Sequence, residues 1–315
     1  MHRIGYILPP GFQVIALGTQ AVFEFANLLA GERVYAVENF GLSADGAVQA
    51  SVGVSVQARP LTARSRADSW LVVGTVHPLA TPTPPALLRL LPKISAHARR
   101  TVGLCTGGFA LAEAGLLDGR RATTHWTFAD ALQQRHPRIQ VEADRIYIAD
   151  GAMWTSAGMT AEFDLALALV EQDLGEPMAR AVAHRLVMHQ RRAGGQSQHS
   201  EMLKLAPKSD RIQQALAHAR QHLKEPLGVE QLAEVAHLSP RQFSRVFTAE
   251  TGQSPAKAIE GLRLEAARLL IEQSRHPLET IARETGFRDR RHLREAFLRG
   301  YGTAPQAVRR DSRAG

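Results

Sequence analysis

The sequence predicts an α/β domain, built on a mostly parallel sheet covered on both faces, followed by an all-α domain. Three observations predict it. Short apolar runs alternate with helical periodicity through roughly the first 190 residues, strand signals stop beyond a polar Gly-Ser-Gln segment, and one pattern of apolar, Gly and Pro positions occurs twice in the last third. At 315 residues the chain exceeds what one hydrophobic core usually serves.

Strands are expected at Arg3–Leu8, Val34–Glu38, Ser69–Gly74, Thr101–Leu104 and Ile146–Ala149. Between and after them, Thr19–Ala30, Pro84–Ala98, Gly107–Ala114, Thr127–Arg135, Thr160–Leu174 and Pro177–His189 carry helical spacing. Trp70-Leu71-Val72-Val73 and Val102-Gly103-Leu104 are almost wholly apolar, as strands buried on both faces of a parallel sheet must be. The stretch from Arg191 through Gly194-Gly195-Gln196 to Ser200 has too little apolar surface to offset ordering entropy. It predicts a linker, placed at 192–208, between a domain of residues 1–191 and one of residues 209–312.

In the second domain Leu232-Ala233, Leu238, Phe243, Phe247, Gly252 and Pro255 recur as Ile281-Ala282, Phe287, Leu293, Phe297, Gly302 and Pro305. The offset grows from 49 to 50, so one residue is added near the start of the second copy's second helix. Each copy reads as helix, tight turn, helix. Val229–Ala236 is the first helix, His237-Leu238 the turn, and Ser239 caps a second helix that opens on Pro240 and runs to Glu250. The outward residues are Ser239, Arg241, Gln242, Ser244, Arg245 and Thr248 in the first copy. In the second they are Arg288, Arg290, Arg291, His292, Arg294 and Glu295. Most are donors suited to phosphates and to guanine or adenine edges. Ala256–Gln273 is the helix expected to hold the two units so that both enter successive major grooves of duplex DNA.

Charge agrees with an anionic partner. Lys and Arg number 38 against 30 Asp and Glu, divided as 18 against 16 in residues 1–192 and 20 against 14 in residues 193–315. A hydrophobic content of 44% excludes a disordered chain. The single cysteine, Cys105, excludes an intrachain disulfide framework and fits a reducing compartment. The start does not resemble a signal peptide, since Pro9-Pro10-Gly11 ends its short apolar run. A cytoplasmic protein with no membrane span, cofactor or metal is expected.

Val102-Gly103-Leu104-Cys105-Thr106-Gly107-Gly108-Phe109 places Cys105 at a sharp strand-to-helix elbow, where exposure and the helix N-terminus would favour a thiolate. Ala122-Thr123-Thr124-His125-Trp126 ends another short strand with a histidine in reach of it. Two readings of the residues stand: a Cys/His nucleophilic pair, or a small buried hydrophobe.

The C-terminal pattern, with Ser239-Pro240-Arg241, Phe243, Arg245, Phe247, Gly252, Ser254-Pro255, Arg263, Ala267-Arg268-Leu269-Leu270, Gly286-Phe287, Phe297, Gly302 and Pro305, resembles the DNA-binding domain of the AraC/XylS family. It departs at Arg290-Arg291-His292-Leu293, where the family carries an aromatic. The elbow, His125 and Gly74-Thr75 resemble the DJ-1/PfpI branch of the class I glutamine amidotransferase-like superfamily. With Thr155-Ser156-Ala157-Gly158 added, the whole chain resembles the GlxA-type regulators.

The resemblance implies a flavodoxin-like first domain, seven C-terminal helices, a homodimer, promoter binding at direct repeats and activation through RNA polymerase. It also implies a small-molecule effector, an amino acid, betaine or related nitrogen compound, held by Gly74, Thr75, Cys105, Thr106, His125 and Trp126. Trp126 would face a cationic group. The alternative is a Cys105-dependent amidase, protease or glyoxalase fused to a DNA-binding domain. Against it, the first-helix carboxylate of such enzymes is missing from Leu17-Gly18-Thr19-Gln20-Ala21, and no acid follows until Glu24. A redox sensor is the third reading.

Overall fold

Apolar alternation sets the architecture of the first unit in the computed structural model. The strand β1 (His2–Leu8) turns Tyr6 and Leu8 into one buried cluster and Ile7 into another, on opposite faces of the sheet. The structure describes residues 1–43, 45–188, 192, 194, 198, 205, 207 and 209–314, and the chain divides into two compact units, Met1–Gly194 and Gly195–Gly315. Most of the expected linker, 192–208, lies outside the described residues.

The remaining strands are β2 (Tyr35–Gly41), β3 (Ala47–Gln49), β4 (Ser55–Gln57), β5 (Arg59–Pro60), β6 (Ser69–Val72), β7 (Arg100–Gly103), β8 (Arg121–Ala122), β9 (Gln140–Val141), β10 (Tyr147–Asp150) and β11 (Met153–Ser156). The main sheet has the order β10-β11-β7-β6-β1-β2-β5, and every pairing in it is parallel except β10 with β11. The short strands β3, β4, β8 and β9 form two separate ribbons.

After the short helix α1 (Ile15–Gly18), α2 (Gln20–Ala30) packs its Val22, Phe23 and Ala26 on one face of the sheet. On the other face lie α3 (Pro85–Ser95), α4 (Gly107–Glu113) and α5 (Trp126–Arg135). The helices α6 (Thr160–Leu174) and α7 (Glu176–Arg185) join α2. The expected flavodoxin-like arrangement is thus present, with helices on both faces.

Boundaries differ by a few residues from those expected. Strand β2 begins one residue later and extends to Gly41, α3 stops at Ser95, and α7 begins at Glu176 and stops at Arg185. His189, the expected end of α7, lies outside the described residues. Strand β11 ends within the Thr155-Ser156-Ala157-Gly158 motif, for which no strand was expected. Arg192 donates its backbone N–H and Nε to Asp164 at 2.8 Å each and its guanidinium to Thr160 at 2.9 Å, so this residue is tied to the first turns of α6.

The second unit consists, among described residues, of α8 (Asp210–Gln221), α9 (Val229–Val235), α10 (Pro240–Thr251), α11 (Pro255–Gln273), α12 (Leu278–Glu284), α13 (Arg290–Tyr301) and α14 (Pro305–Ala314). Seven helices were expected. Residues of α11 are divided between two cores: Ala258, Ile259 and Leu262 pack with Phe243 and Phe247, whereas Leu264, Ala267 and Ile271 pack with Leu293 and Phe297. One helix thereby belongs to both helix-turn-helix units. Arg263, between the two sets, donates to the Leu223 carbonyl at 3.0 Å and the Glu225 carbonyl at 2.7 Å.

Both turns pass through a left-handed residue at the same place, His237 at φ 53° and Gly286 at φ 76°. The added residue of the second copy is Arg288, immediately before the cap. A Cβ at Gly286 would lie 2.0 Å from the Leu223 carbonyl oxygen, so this position needs glycine for both conformation and space. Gly286→Ala is expected to destabilise the full chain by about 2 kcal/mol or more, and His237→Gly to stay within about 1 kcal/mol of the parent, in urea unfolding. Equal effects at the two positions would contradict this account.

Candidate functional site

Each second helix of the repeat is opened by a side chain that satisfies its free N–H groups. Ser239 Oγ accepts from the Gln242 N–H at 3.4 Å, and Gln242 Oε1 accepts from the Ser239 N–H at 3.2 Å, a reciprocal capping box. Ser239 and Gln242 therefore close the first turn of α10. In α13 the cap is Asp289, which accepts from the His292 N–H at 2.7 Å, while His292 Nδ1 accepts from the Arg288 N–H at 3.3 Å. Gly252 and Gly302 end the two helices in the left-handed conformation.

Between those ends, Phe243 and Phe247, like Leu293 and Phe297, face inward. Arg241, Arg245, Arg290 and Arg294 are exposed and take no ion-pair partner among the described residues, and Ser244 is partly exposed beside them. Arg288 lies 3.8 Å from Asp289, and Arg291 Nε donates to Glu295 Oε1 at 2.9 Å. The outward residues expected from the sequence therefore lie on two exposed helix faces, four of them arginines available to anionic oxygens.

The elbow of the first unit forms because α4 rests directly on the sheet. A Cβ at Gly107 would fall 2.0 Å from the Val72 carbonyl oxygen, so only glycine admits this approach. Cys105 takes φ 52° at the bend. Its N–H donates to Ser156 Oγ at 3.2 Å and its carbonyl accepts from Thr124 Oγ1 at 3.1 Å, anchoring the elbow to β11 and to the loop after β8. His125 is the N-cap of α5 rather than the end of a strand: its Nδ1 accepts from the Thr127 N–H at 3.3 Å. A Cβ at residue 158 would lie 2.2 Å from His125 Cδ2 and 3.2 Å from Cys105 Sγ, so Gly158 is what lets the ring and the sulfur share one place.

The six expected effector residues separate into two groups about the elbow. Cys105 and His125 converge at Gly158, and Trp126 stacks on His125 with ring centroids 5.7 Å apart while remaining 52% exposed. Gly74, Thr75 and Thr106 instead line a cleft of about 500 Å³, its open mouth included, walled by Pro9, Pro10, Pro78, Pro82, Pro84 and Phe109. Thr106 Oγ1 donates to the Thr75 carbonyl at 2.6 Å on its floor. Both places lie at the carboxyl ends of the parallel strands, where ligands of such sheets bind.

Of the two readings of Cys105, its surroundings fit the buried side chain and not the exposed thiolate. Its side chain is buried, with 1% of its surface accessible, and burial followed by the charge of Glu162 pushes the thiol up to about 12, against opposing pulls from the Thr106 and Met159 amides. The helix field does not outweigh desolvation, so the neutral thiol is the resting form. Glu162 is the residue that sequence reasoning missed. It is 1% accessible, and burial raises it to about 8, with the Met159 amide offsetting only part.

Burial raises the pKa of Tyr6 against the pull of its 2.7 Å hydrogen bond with Thr19 Oγ1, and Glu162 adds to the rise. An acidic side chain near Cys105 is thus supplied by α6, and at neutral pH it is mainly the protonated carboxyl. The sequence does carry a signal for it: Glu162 precedes Leu165, Ala166 and Leu169 by three, four and seven residues, on the apolar stripe. Because the folded pKa exceeds the unfolded value of 4.5, this group's contribution to stability is complete below pH 4.5 and is lost as pH rises through about 8. Between pH 6 and 9 the melting temperature of the first unit is expected to fall in the parent and to fall less in Glu162→Gln. Parallel curves would show that the carboxyl is not buried.

Comparison with known proteins matches both halves. A helix-turn-helix domain model matches residues 232–311, and the DJ-1/PfpI family model matches residues 17–172. The HTH-type transcriptional regulator CdhR of Pseudomonas aeruginosa is 32% identical over 96% of this chain and 90% of its own length. GbdR, an HTH-type transcriptional regulator of the same species, is 30% identical over 100% of the chain and 84% of its length. The regulator GlxA of Rhizobium meliloti is 28% identical over 99% and 97%. The crystal structure of an AraC family transcriptional regulator from Pseudomonas putida superposes on 59% of the chain and all of its own, with TM-score 0.52 and 25% identity. The chain belongs to the GlxA-type HTH transcriptional regulators, in which a DJ-1/PfpI domain precedes an AraC-type DNA-binding domain.

Proposed function

We propose that the chain is a cytoplasmic, sequence-specific transcriptional activator, a homodimer, that grips operator DNA through α10 and α13 and recruits RNA polymerase under the control of a small nitrogen-containing metabolite. The observation that carries the reading is the pair of capped, exposed helices fixed by one connector, with Arg241 and Arg245 on the first and Arg290 and Arg294 on the second left without ion-pair partners among the described residues. Ser239, Gln242, Ser244, Arg288, Arg291 and His292 complete the DNA-facing set. The division of labour is that of a sensing domain, residues 1–191, a linker, 192–208, and a DNA-binding domain, 209–312.

The effector is assigned to the elbow, between Cys105, His125 and Trp126 on one side and Gly74, Thr75 and Thr106 on the other. Occupancy biases the regulator between DNA-binding states by its differential affinity for them. Catalysis is not assigned to this domain: a thiol pushed up to about 12 is a poor nucleophile at neutral pH. The proximity of His125 and Glu162 favours the enzyme as second reading. It requires turnover that Cys105→Ala abolishes, whereas a sensing role leaves DNA binding intact in that variant and changes the effector response alone.

Titrating the full chain with its own upstream DNA and with random duplex, across a salt series, tests the first assignment. Specific affinity is expected to fall about tenfold or more in Arg245→Ala and in Arg294→Ala. Binding that is weak, salt-sensitive and blind to sequence would refute it. For the sensing role, amino acids and betaines are expected to raise the melting temperature of the full chain and to lose that effect in His125→Ala. No stabilisation by any member of the panel would remove this class of effector.

A further inference from the structure

The two DNA-facing helices are alike in frame and opposite in chemistry at one position. Their caps Ser239 and Asp289, their inward residues Phe243 and Leu293, Phe247 and Phe297, and their terminal Gly252 and Gly302 all align at an offset of 50. With that frame fixed, Arg245 on α10 corresponds to Glu295 on α13, and Thr248 corresponds to Leu298. Glu295 retains 49% side-chain exposure and Leu298 retains 42% exposure, so neither is packed away.

A carboxylate on a helix that enters a groove flanked by phosphates is repelled unless it accepts a hydrogen bond there. The major-groove donor that suits a carboxylate is the N4 amino group of cytosine, whereas an arginine suits the O6 and N7 acceptors of guanine. The ion pair from Arg291 Nε to Glu295 Oε1 at 2.9 Å restrains the carboxylate on that face, leaving its other oxygen to accept from a base. Leu298, one turn on, has no polar group to lose and matches the apolar surface of a thymine methyl. Three residues of helix rise about 4.5 Å, between one and two base-pair steps of about 3.4 Å, so the two side chains can address neighbouring pairs.

Building on the DNA-binding reading above, we infer that α13 selects a cytosine through Glu295 beside a thymine through Leu298, while α10 selects a guanine through Arg245 at the equivalent place. The site gripped by one subunit is then a pair of unlike elements, and a homodimer meets that pair twice. Glu295 is a specificity-determining residue and also lowers affinity for DNA that lacks its cytosine.

Selection from a random duplex library by the full-length protein, compared with its Glu295→Ala, Glu295→Gln, Leu298→Ala and Arg245→Ala variants, tests this. Wild type is expected to enrich one cytosine with an adjacent thymine in one half-site. Glu295→Ala is expected to lose about tenfold of the cytosine preference at that position alone while binding random DNA more tightly. Glu295→Gln is expected to shift the preference towards adenine, Leu298→Ala to relax only the neighbouring thymine, and Arg245→Ala to relax a guanine in the other half-site.

Unchanged preferences in both Glu295 variants would overturn the assignment and leave that carboxylate as the ion-pair partner of Arg291. Sequence-specific binding with no cytosine dependence would also overturn it while sparing the DNA-binding reading. Absence of DNA binding by the wild type would overturn both. Exposed side chains at these positions leave the fold unaffected, and matching circular dichroism of wild type and variants verifies that.

Discussion

The close approach of α4 to the sheet at Gly107 and Val72 is the constraint on which the first unit turns. It leaves no room for any side chain at residue 107, accompanies the bend at Cys105, and the loops after β8 and β11 meet at the sulfur through His125 and Gly158. The consequence at the site is burial. The same close packing that presents Cys105 to its neighbours removes it from water, and desolvation then decides its protonation over the helix field. Shape and chemistry at the elbow therefore have one cause.

That cause also explains which features of the site were legible in the sequence. The glycines around Cys105 announced an elbow, because the conformational demand is local. Whether the sulfur faced water depended on residues from β11 and α6, far away in the chain, and its expected thiolate character was wrong for that reason. Glu162 was invisible as a partner because its proximity to Cys105 arises only when α6 crosses the sheet. The cleft beside Gly74 and Thr75 was missed similarly, since its proline walls come from two separate loops. Of the six proposed effector residues, Cys105 and Thr106 came from the elbow motif, His125 and Trp126 from the end of a short strand, and Gly74 and Thr75 from the family resemblance, and none of these signals carried their division in two.

The second unit was easier to read because its determinants are short-range. Ser239 with Gln242, the left-handed turns, the terminal glycines and the apolar spacing all act within a few residues of one another. Even the extra residue of the second copy was visible, and the structure places it at Arg288. Local signals did not reveal which outward residues are already engaged: Gln242 in a cap, His292 with Arg288, and Arg291 with Glu295.

The connector α11 has a metric consequence. Its two ends are built into separate cores, and Arg263 at its centre is fastened to the carbonyls of Leu223 and Glu225. In the proposed function the helix acts as a gauge block between two reading heads. Each base pair inserted between half-sites turns one of them by roughly 35° about the duplex axis and advances it by about 3.4 Å. A single continuous helix has no joint with which to follow that rotation, so the length of the operator is dictated by the protein as firmly as any base within it.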